Sequence, residues 1–527
     1  MKGIYRLTGG LLLLLLILGN RLADPRPEQA SRPNILFCIA DDQSFPHAGA
    51  YGTRWIRTPN FDRVAAEGLL FMNAYTPNAK CAPSRSCILT GRNSWQLEEA
   101  ANHVPYFPAK FKSIMEVLRE NGYHVGHTAK GWAPGNPGTL NGKPRQLTGP
   151  AYNAKKTETP TSQIGKIDYA ANFKEFLNDR PGKQPFCFWY GSTEPHRAYE
   201  YGSGKAHGKK SADIDRVPAY WPDIDSVRTD MLDYAYEIEY FDQHLGQMLR
   251  LLEERGELDN TIVIVTSDNG MPFPRVKGQE FEASNHLPLA IRWKEGIVQP
   301  NRKVRDYVSF IDFVPTFLEA VGLTATSAGM EPVQGKSLVD IFTNAPKHKR
   351  DYVLIGKERH DIGRPNDAGY PIRGIVKNGY LYLHNYEPER WPSGDPLTGY
   401  LNTDGSPTKT VLIQRRHHPT ERRYWEWGLG KRPAEELYQI SKDPDCMVNL
   451  ATDKKHQTNR RQLARLMEQE LRAQGDPRMF GRGAVFDNYP YAEEKTRNFY
   501  ERYLKGEPME ANWVNKTDFD KSGEKQQ

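Results

Sequence analysis

Cysteine is scarce in this chain. Its 527 residues include only five, at 38, 81, 87, 187 and 446. Two of them fall in apolar runs and the count is odd, so the chain carries no disulfide framework. Neither a Cys-x-x-Cys nor a His-x3-His pair is present to support a structural zinc site. Long apolar runs are missing too. The one candidate, Leu11 to Leu18, follows Lys2 and Arg6 and is too short to span a bilayer. It has the form of a signal-peptide core, with cleavage expected near Ala23 or Ala30. Residues 1–23 are read as that signal. The protein is expected to be exported with no stable membrane anchor: periplasmic or secreted in a bacterium, lysosomal or secreted in a eukaryote. A strong charge of one sign is also lacking. Lys and Arg number 71 against 65 Asp and Glu, a net charge of +6. With no long basic stripe, nucleic acid is not an expected partner. The small excess suits an anionic ligand.

What is present points to a large α/β core with a smaller companion. Apolar runs at 34–40, 123–129, 186–192, 261–267 and 287–293 read as buried parallel strands. Helical patterns at 112–120, 168–179, 231–255 and 312–321 lie between them. Strands alternating with helices imply βαβ units and a sheet covered on both faces. After about residue 345 the pattern changes. DYVLIG, IRGIVKNGYLYLHNY and EELYQIS read as antiparallel strands, with Asn378-Gly379 as a hairpin turn. A helix at 457–473 follows. The fold class is therefore α/β. A large mixed, mostly parallel sheet between helices spans 33–345, and a smaller α+β subdomain with an antiparallel sheet spans 346–480. An extension covers 481–527, expected to be loose from 505 onward.

In open parallel sheets, ligands bind beyond the carboxyl ends of the strands. Asp41 and Asp42 follow the first run and Lys130 the second. Glu194, His196 and Arg197 follow the third, and Asp268 and Asn269 the fourth. Singly, each has an ordinary explanation as a turn, a cap or a packing histidine. On one rim they form a constellation. Asp41, Asp42, Asp268 and Asn269 offer only oxygen, which selects Ca²⁺ or Mg²⁺ over zinc.

Cys81 opens the stretch CAPSRSCILTGR, residues 81–92. A phosphatase loop needs arginine six residues after the cysteine, where this chain has Cys87. A Cys81–Cys87 disulfide conflicts with a helix over 84–90, with Pro83 in its first turn and Gly91 at its end. A papain-type nucleophile leaves Pro-Ser-Arg unexplained. What remains is a helix N-terminus, positive by its dipole, with Cys81 just before it and Arg85 one turn in.

This stretch matches C-x-P-S-R-x-x-x-L-T-G-R at every specified position, and the chain resembles the type I, formylglycine-dependent sulfatase family of the alkaline phosphatase superfamily. RPNILFCIADD, TPNFDRVAAEG, DNTIVIVTSDNG and ELYQISKDPDCMVNL are similar to their counterparts in that family, so the resemblance spans roughly 33–475. It implies that a maturation enzyme oxidises Cys81 to formylglycine. It implies one Ca²⁺ per chain, held by Asp41, Asp42, Asp268, Asn269 and the modified residue 81. One hydroxyl of the hydrated aldehyde attacks sulfur and the other then expels sulfate. Arg85 holds the diol, Lys130 and Lys277 clamp the sulfate, and His196 protonates the leaving group.

One departure concerns Trp132, where most members carry a histidine two residues after the lysine. His47 and His103 are candidates to replace it. His127 is set aside, because strand alternation turns it away from the face of Lys130. SDNGMPFPRVKG and STEPHRAYEYG most resemble the heparan N-sulfatase (sulfamidase) branch and its bacterial polysaccharide relatives, although Lys277 stands where that branch has arginine. The resemblance implies a sulfate ester or sulfamate on a saccharide, from a heparan-like or other anionic glycan. His360, Asp361, Arg364 and Arg373 are expected to reach the sugar or a neighbouring carboxylate. RRHHPTERR, 415–423, reads as a solvated charge run. Two alternatives stand beside this reading. A phosphodiesterase or phosphonate monoester hydrolase of the same superfamily shares much of the core, but its two-zinc members carry Asp-His where this chain has Asp268-Asn269. A non-catalytic glycan-binding descendant would be expected to have lost Cys81, Arg85 or a metal carboxylate.

Overall fold

The computed structural model describes residues 32–520, so the signal expected over 1–23 lies outside the described residues. The main sheet has seven strands: Asn34–Ala40 (β1), Leu69–Phe71 (β2), His124–Ala129 (β3), Phe186–Gly191 (β4), Thr261–Ser267 (β5), Leu289–Arg292 (β6) and Arg302–Val304 (β7). Their order is β7-β2-β6-β5-β1-β4-β3. β5, β1, β4 and β3 run parallel, as does β7 with β2. β6 does not. It lies antiparallel to both β5 and β2, which corrects the parallel direction expected for 287–293. An unbroken apolar run reports burial on both faces and carries no information about direction. β2 and β7 are three residues each and leave no run to detect.

Burial on both faces is visible in β1. Ile35, Phe37 and Ile39 pack with residues of Ile114–Glu120 and Phe313–Ala320. Leu36, Cys38 and Ala40 pack with residues of Tyr169–Asp179 and Asp225–Glu254 on the other side. Two of these helices start where the sequence caps them. The Ser113 hydroxyl accepts from the Glu116 backbone, and Glu116 accepts from the Ser113 N–H. Asp168 accepts from the Ala171 N–H at 2.9 Å.

The second sheet holds Tyr352–Lys357 (β8), Ile372–Lys377 (β9), Tyr380–Asn385 (β10) and Glu435–Tyr438 (β11), antiparallel and in that order. Asn378 and Gly379 both have positive φ, 51° and 72°, as a two-residue type I′ turn requires. The helix Gln457–Ala473 buries Leu463, Met467 and Leu471 against one face of this sheet. The other face packs on Tyr75 and Phe281 of the larger lobe. Two helices absent from the sequence reading, Pro407–Gln414 and Arg422–Leu429, pack Leu412, Trp425 and Leu429 with Met231, Leu232 and Tyr234 of the long helix.

The C-terminal segment departs from expectation. Instead of lying loose from 505, it packs down as far as residue 520. Trp513 Nε1 donates to the Leu401 carbonyl at 2.7 Å, and Lys409 Nζ lies 2.9 Å from Asp518 with both side chains fully buried. Met509, Val514 and Phe519 join a cluster with Val104, Ile362 and Phe499. Those apolar residues are scattered singly through a polar stretch, which hid them. Among the described residues no helix is long and apolar enough to cross a membrane.

Candidate active site

The site lies where β1, β3, β4 and β5 end. Asp41 and Asp42 leave β1 in succession. Asp42 sits at φ 79°, a conformation that costs a side-chain-bearing residue free energy. Asp42 N–H donates to Asp268 Oδ1 at 3.1 Å, which ties the ends of β1 and β5 together. Asp41, Asp42 and Asp268 each bring a carboxylate oxygen within 4.8 Å of the others, and all are buried. Burial, and then Asp41, push the Asp268 carboxyl above its ordinary range. Asn269 donates from Nδ2 to Asp42 Oδ1 at 2.6 Å, while its own buried Oδ1 has no partner. Crowded carboxylates beside an unsatisfied carbonyl oxygen form a donor set that fits a hard divalent cation.

Cations surround this acidic patch. Lys130 Nζ lies 2.5 Å from Asp41. Burial, the largest influence, would raise the Asp41 carboxyl, but Lys130 together with His196 and Arg85 outweighs it and brings it down to about 2. Lys277 Nζ lies 2.7 Å from Asp42 and 2.8 Å from Asp404. Burial works against its charge, yet Asp404 and Asp42 hold the ammonium well above its ordinary range. His196 Nδ1 donates to the Arg197 carbonyl at 2.6 Å, which leaves Nε2 toward the site, 3.9 Å from Asp42.

Cys81 is the first residue of the helix Cys81–Thr90, every residue of which is buried. The helix closes at Gly91, where φ is 69° and a Cβ would lie 2.9 Å from that of Val314. Cys81 Sγ lies 3.5 Å from Asp41 Oδ1 and 3.9 Å from Asp42 Oδ1. Burial pushes its thiol well up, so an unmodified Cys81 is no thiolate nucleophile. Arg85, fully buried one turn on, donates from Nε to Asp268 at 2.8 Å and from Nη1 to the Lys130 and Gly131 carbonyls at 2.7 Å each. The signature helix is thereby fastened to the ends of β3 and β5.

Cys81 opens on a cavity of about 760 Å³, lined also by Lys130, His196 and Lys277. Of the four residues expected to reach the substrate, Asp361 lines it, 2.8 Å from Lys80 and 2.9 Å from His103 Nδ1. The other three do not, and that expectation is corrected here. His360 is buried between the Gly278 carbonyl and Asn78 Oδ1, at 3.2 and 2.9 Å. Arg364 is consumed by the Trp391 and Pro392 carbonyls at 2.7 and 2.9 Å. Arg373, on β9, is fully buried between Asp476 at 2.7 Å and Glu358 at 2.6 Å. It is a structural ion pair. Arg373→Ala should therefore destabilise the protein by about 3–5 kcal/mol, the cost of stranding buried charges. It should lower the melting temperature while leaving KM on any folded fraction unchanged. A raised KM at wild-type stability would restore the substrate role.

The histidines also sort differently from expectation. His47 bonds Tyr234 Oη at 2.9 Å and does not line the cavity, whereas His103 does. His127 lines it as well, against the alternation argument. The reason is Ala129, whose φ of 55° breaks the alternation before Lys130. Trp132 contributes to the wall, its Nε1 donating to Ser86 Oγ at 2.8 Å. Sequence reasoning missed Asp404, whose only signal was an Asp-Gly turn. Burial raises its carboxyl, but Lys277 together with Lys80 and His196 outweighs this and holds it below the usual range. It also missed Tyr491, Glu493 and Trp513, which bring the C-terminal segment into the wall.

A family profile described as Sulfatase matches residues 33–323, more than half of the chain. The chain belongs to the sulfatase family. This sulfatase is 28% identical over 479 residues to N-sulphoglucosamine sulphohydrolase of Homo sapiens, covering 84% of this chain and 88% of that one. It is 26% identical over 476 residues to an ulvan-active sulfatase of Formosa agariphila, covering 84% and 76%. In fold it is similar to the solved structure of BT4656 in complex with its substrate D-glucosamine-2-N,6-O-disulfate. The TM-score there is 0.58 at 21% identity, over 84% of this chain and 98% of that one. The sulfatase is thus a sulfohydrolase with the alkaline phosphatase-like architecture.

Proposed function

We propose that this sulfatase is exported and removes a sulfate ester or sulfamate from the end of a heparan-like or other anionic glycan. It does so with formylglycine, made from Cys81 by a maturation enzyme, and with one Ca²⁺. The observation that carries the reading is the position of Cys81. It lies among three buried carboxylates and two lysines, at the edge of a cavity large enough for a sugar. Asp41, Asp42, Asp268, Asn269 and residue 81 would hold the cation, which offsets sulfate charge and makes a bound hydroxyl more acidic. Formylglycine supplies, as its hydrate, two hydroxyls on one carbon, and Cys81 Sγ stands in for one of those oxygens.

The rest falls to ordinary side chains. Lys130 and Lys277 present fixed ammonium groups to the sulfate oxygens and need no reorganisation as charge moves onto the leaving atom. Arg85, locked by Asp268 and two carbonyls, keeps the start of the signature helix in register with the carboxylates. His196 donates from Nδ1 to a carbonyl, which leaves Nε2 facing the departing oxygen or nitrogen, and the ring acts as the acid there when both nitrogens carry a proton. Trp132 and Trp513 offer ring faces against which a pyranose packs. The saccharide class is supported by the relatives, which are named for ulvan and for N-sulphoglucosamine.

The test is turnover on defined N-, 2-O- and 6-O-sulfated disaccharides by protein produced together with a maturation enzyme. One member of the panel should be cleaved at least about tenfold more efficiently than the rest, because a site built around buried polar groups rejects a misplaced donor. Hydrolysis of phosphonate monoesters to phosphonate and alcohol, with no sulfate released from any member of the panel, would refute the reading.

A further inference from the structure

Beside the main cavity lies a smaller one of about 320 Å³. The two share Lys130, Thr193 and His196 as a common wall. The smaller cavity therefore reaches His196, the residue proposed to protonate the leaving atom.

Its charged residues are committed elsewhere, with one exception. Lys130 is engaged by Asp41 at 2.5 Å. Arg197 holds both oxygens of Asp230, at 2.7 and 2.9 Å, and donates to the Pro272 carbonyl. Glu194 accepts from Tyr169 Oη at 2.7 Å, Ser192 Oγ at 2.5 Å and Thr193 Oγ1 at 3.0 Å. The exception is Glu237, on the long helix Asp225–Glu254. It lines this cavity at 3% exposure, and its carboxyl makes no hydrogen bond or ion pair among the described residues. Buried polar groups kept for structure are paired, and an unpaired one costs about 1–3 kcal/mol. Burial, and then Glu194, push the Glu237 carboxyl well above its usual range, against the opposing pull of the Arg197 guanidinium.

We propose that this pocket is a second subsite for the saccharide, in which Glu237 accepts a hydrogen bond from a hydroxyl or ammonium group of the portion that leaves. The assignment rests on the saccharide reading above. A pocket whose cations are all paired and whose unpaired group is a carboxyl offers sulfate and uronate no free positive charge and suits a hydroxyl or ammonium group instead. It also explains how one site can read the leaving sugar separately from the sulfate.

Glu237→Gln preserves the shape and Glu237→Leu removes the polarity. Both are compared with wild type on the cleaved disaccharide, on its free-amine and N-acetyl forms, and on a small aryl sulfate that cannot reach the pocket. Thermal melts check folding. Glu237→Leu should lower kcat/KM on the saccharide roughly tenfold or more, mainly through KM, the scale of one hydrogen bond to a charged group. The aryl sulfate should change by less than about twofold. A loss confined to the free-amine form identifies an ammonium, and equal losses on both forms a hydroxyl. Equal losses on saccharide and aryl sulfate, or no loss on the saccharide, overturn the subsite. If wild type cleaves the aryl sulfate but no saccharide, the saccharide reading itself fails and this assignment goes with it.

Discussion

Cys81→Ser abolishes sustained turnover while still permitting one chemical event per chain. A serine hydroxyl in this pocket faces the same carboxylates and lysines as Cys81 and can accept the sulfuryl group. It has no second hydroxyl on the same carbon to expel sulfate afterwards, so the enzyme ends as a sulfate ester at residue 81. The steady-state rate should fall by on the order of 10⁴–10⁶-fold, the scale seen when a covalent nucleophile is disabled. Mass spectrometry of the peptide containing residue 81 reads the outcome directly. Wild-type protein should show loss of the thiol and gain of an aldehyde, and the serine variant a mass increase of one SO₃ after exposure to substrate. Full activity from wild-type protein carrying only unmodified cysteine would end the mechanism.

Asp268→Ala removes turnover for a different reason and leaves a different trace. Its carboxylate accepts from Arg85 Nε at 2.8 Å and from the Asp42 N–H at 3.1 Å. Its loss takes away a proposed cation ligand and strands Arg85, which is fully buried, at a cost of about 3–5 kcal/mol. Anything that binds only the folded state raises the melting temperature by mass action. Wild-type protein should therefore melt lower after a chelator is added, and Asp268→Ala should show no such shift. Activity within about tenfold of wild type in this variant, too small a loss for a ligand that acts on the transition state, would remove Asp268 from the site. So would an unchanged chelator shift. Stoichiometric zinc in the wild type, with activity restored by zinc alone, would instead overturn the choice of calcium.

Burial was easier to read from the sequence than direction or pairing. β1 and β5 occupy residues 34–40 and 261–267, the bounds of two mainly apolar runs without charge, because strands covered on both faces favour apolar side chains. The carboxylates and Lys130 were found because open sheets present ligands at strand ends. The reversal of β6 left no mark, since its composition is the same in either direction. Arg373 misled because a charged residue in IRGIVK looks exposed. Its partner Asp476 lies far along the chain, and no local pattern announces a long-range ion pair. His127 was set aside by an alternation that a single residue with positive φ, Ala129, interrupts. Asp404 and Trp513 were missed because each acts through tertiary placement, not through a run or a motif.

The path of the chain around the cavity sets an order of events during synthesis. The carboxylates, Cys81 and both lysines have all been made once Lys277 is in place, whereas the far wall is Tyr491, Glu493 and Trp513. Chains emerge from the ribosome N-terminus first. For the whole of that interval the cavity onto which Cys81 opens lacks that wall. The buried pairing of Lys409 with Asp518 then shuts the door from the last residues made. A chain released before residue 490 keeps the carboxylates, Cys81 and both lysines but loses Tyr491, Glu493 and Trp513 from the cavity wall. Such a product would also strand the buried Lys409 and lose the cluster that Val104 and Ile362 form with Phe499 and the last residues translated.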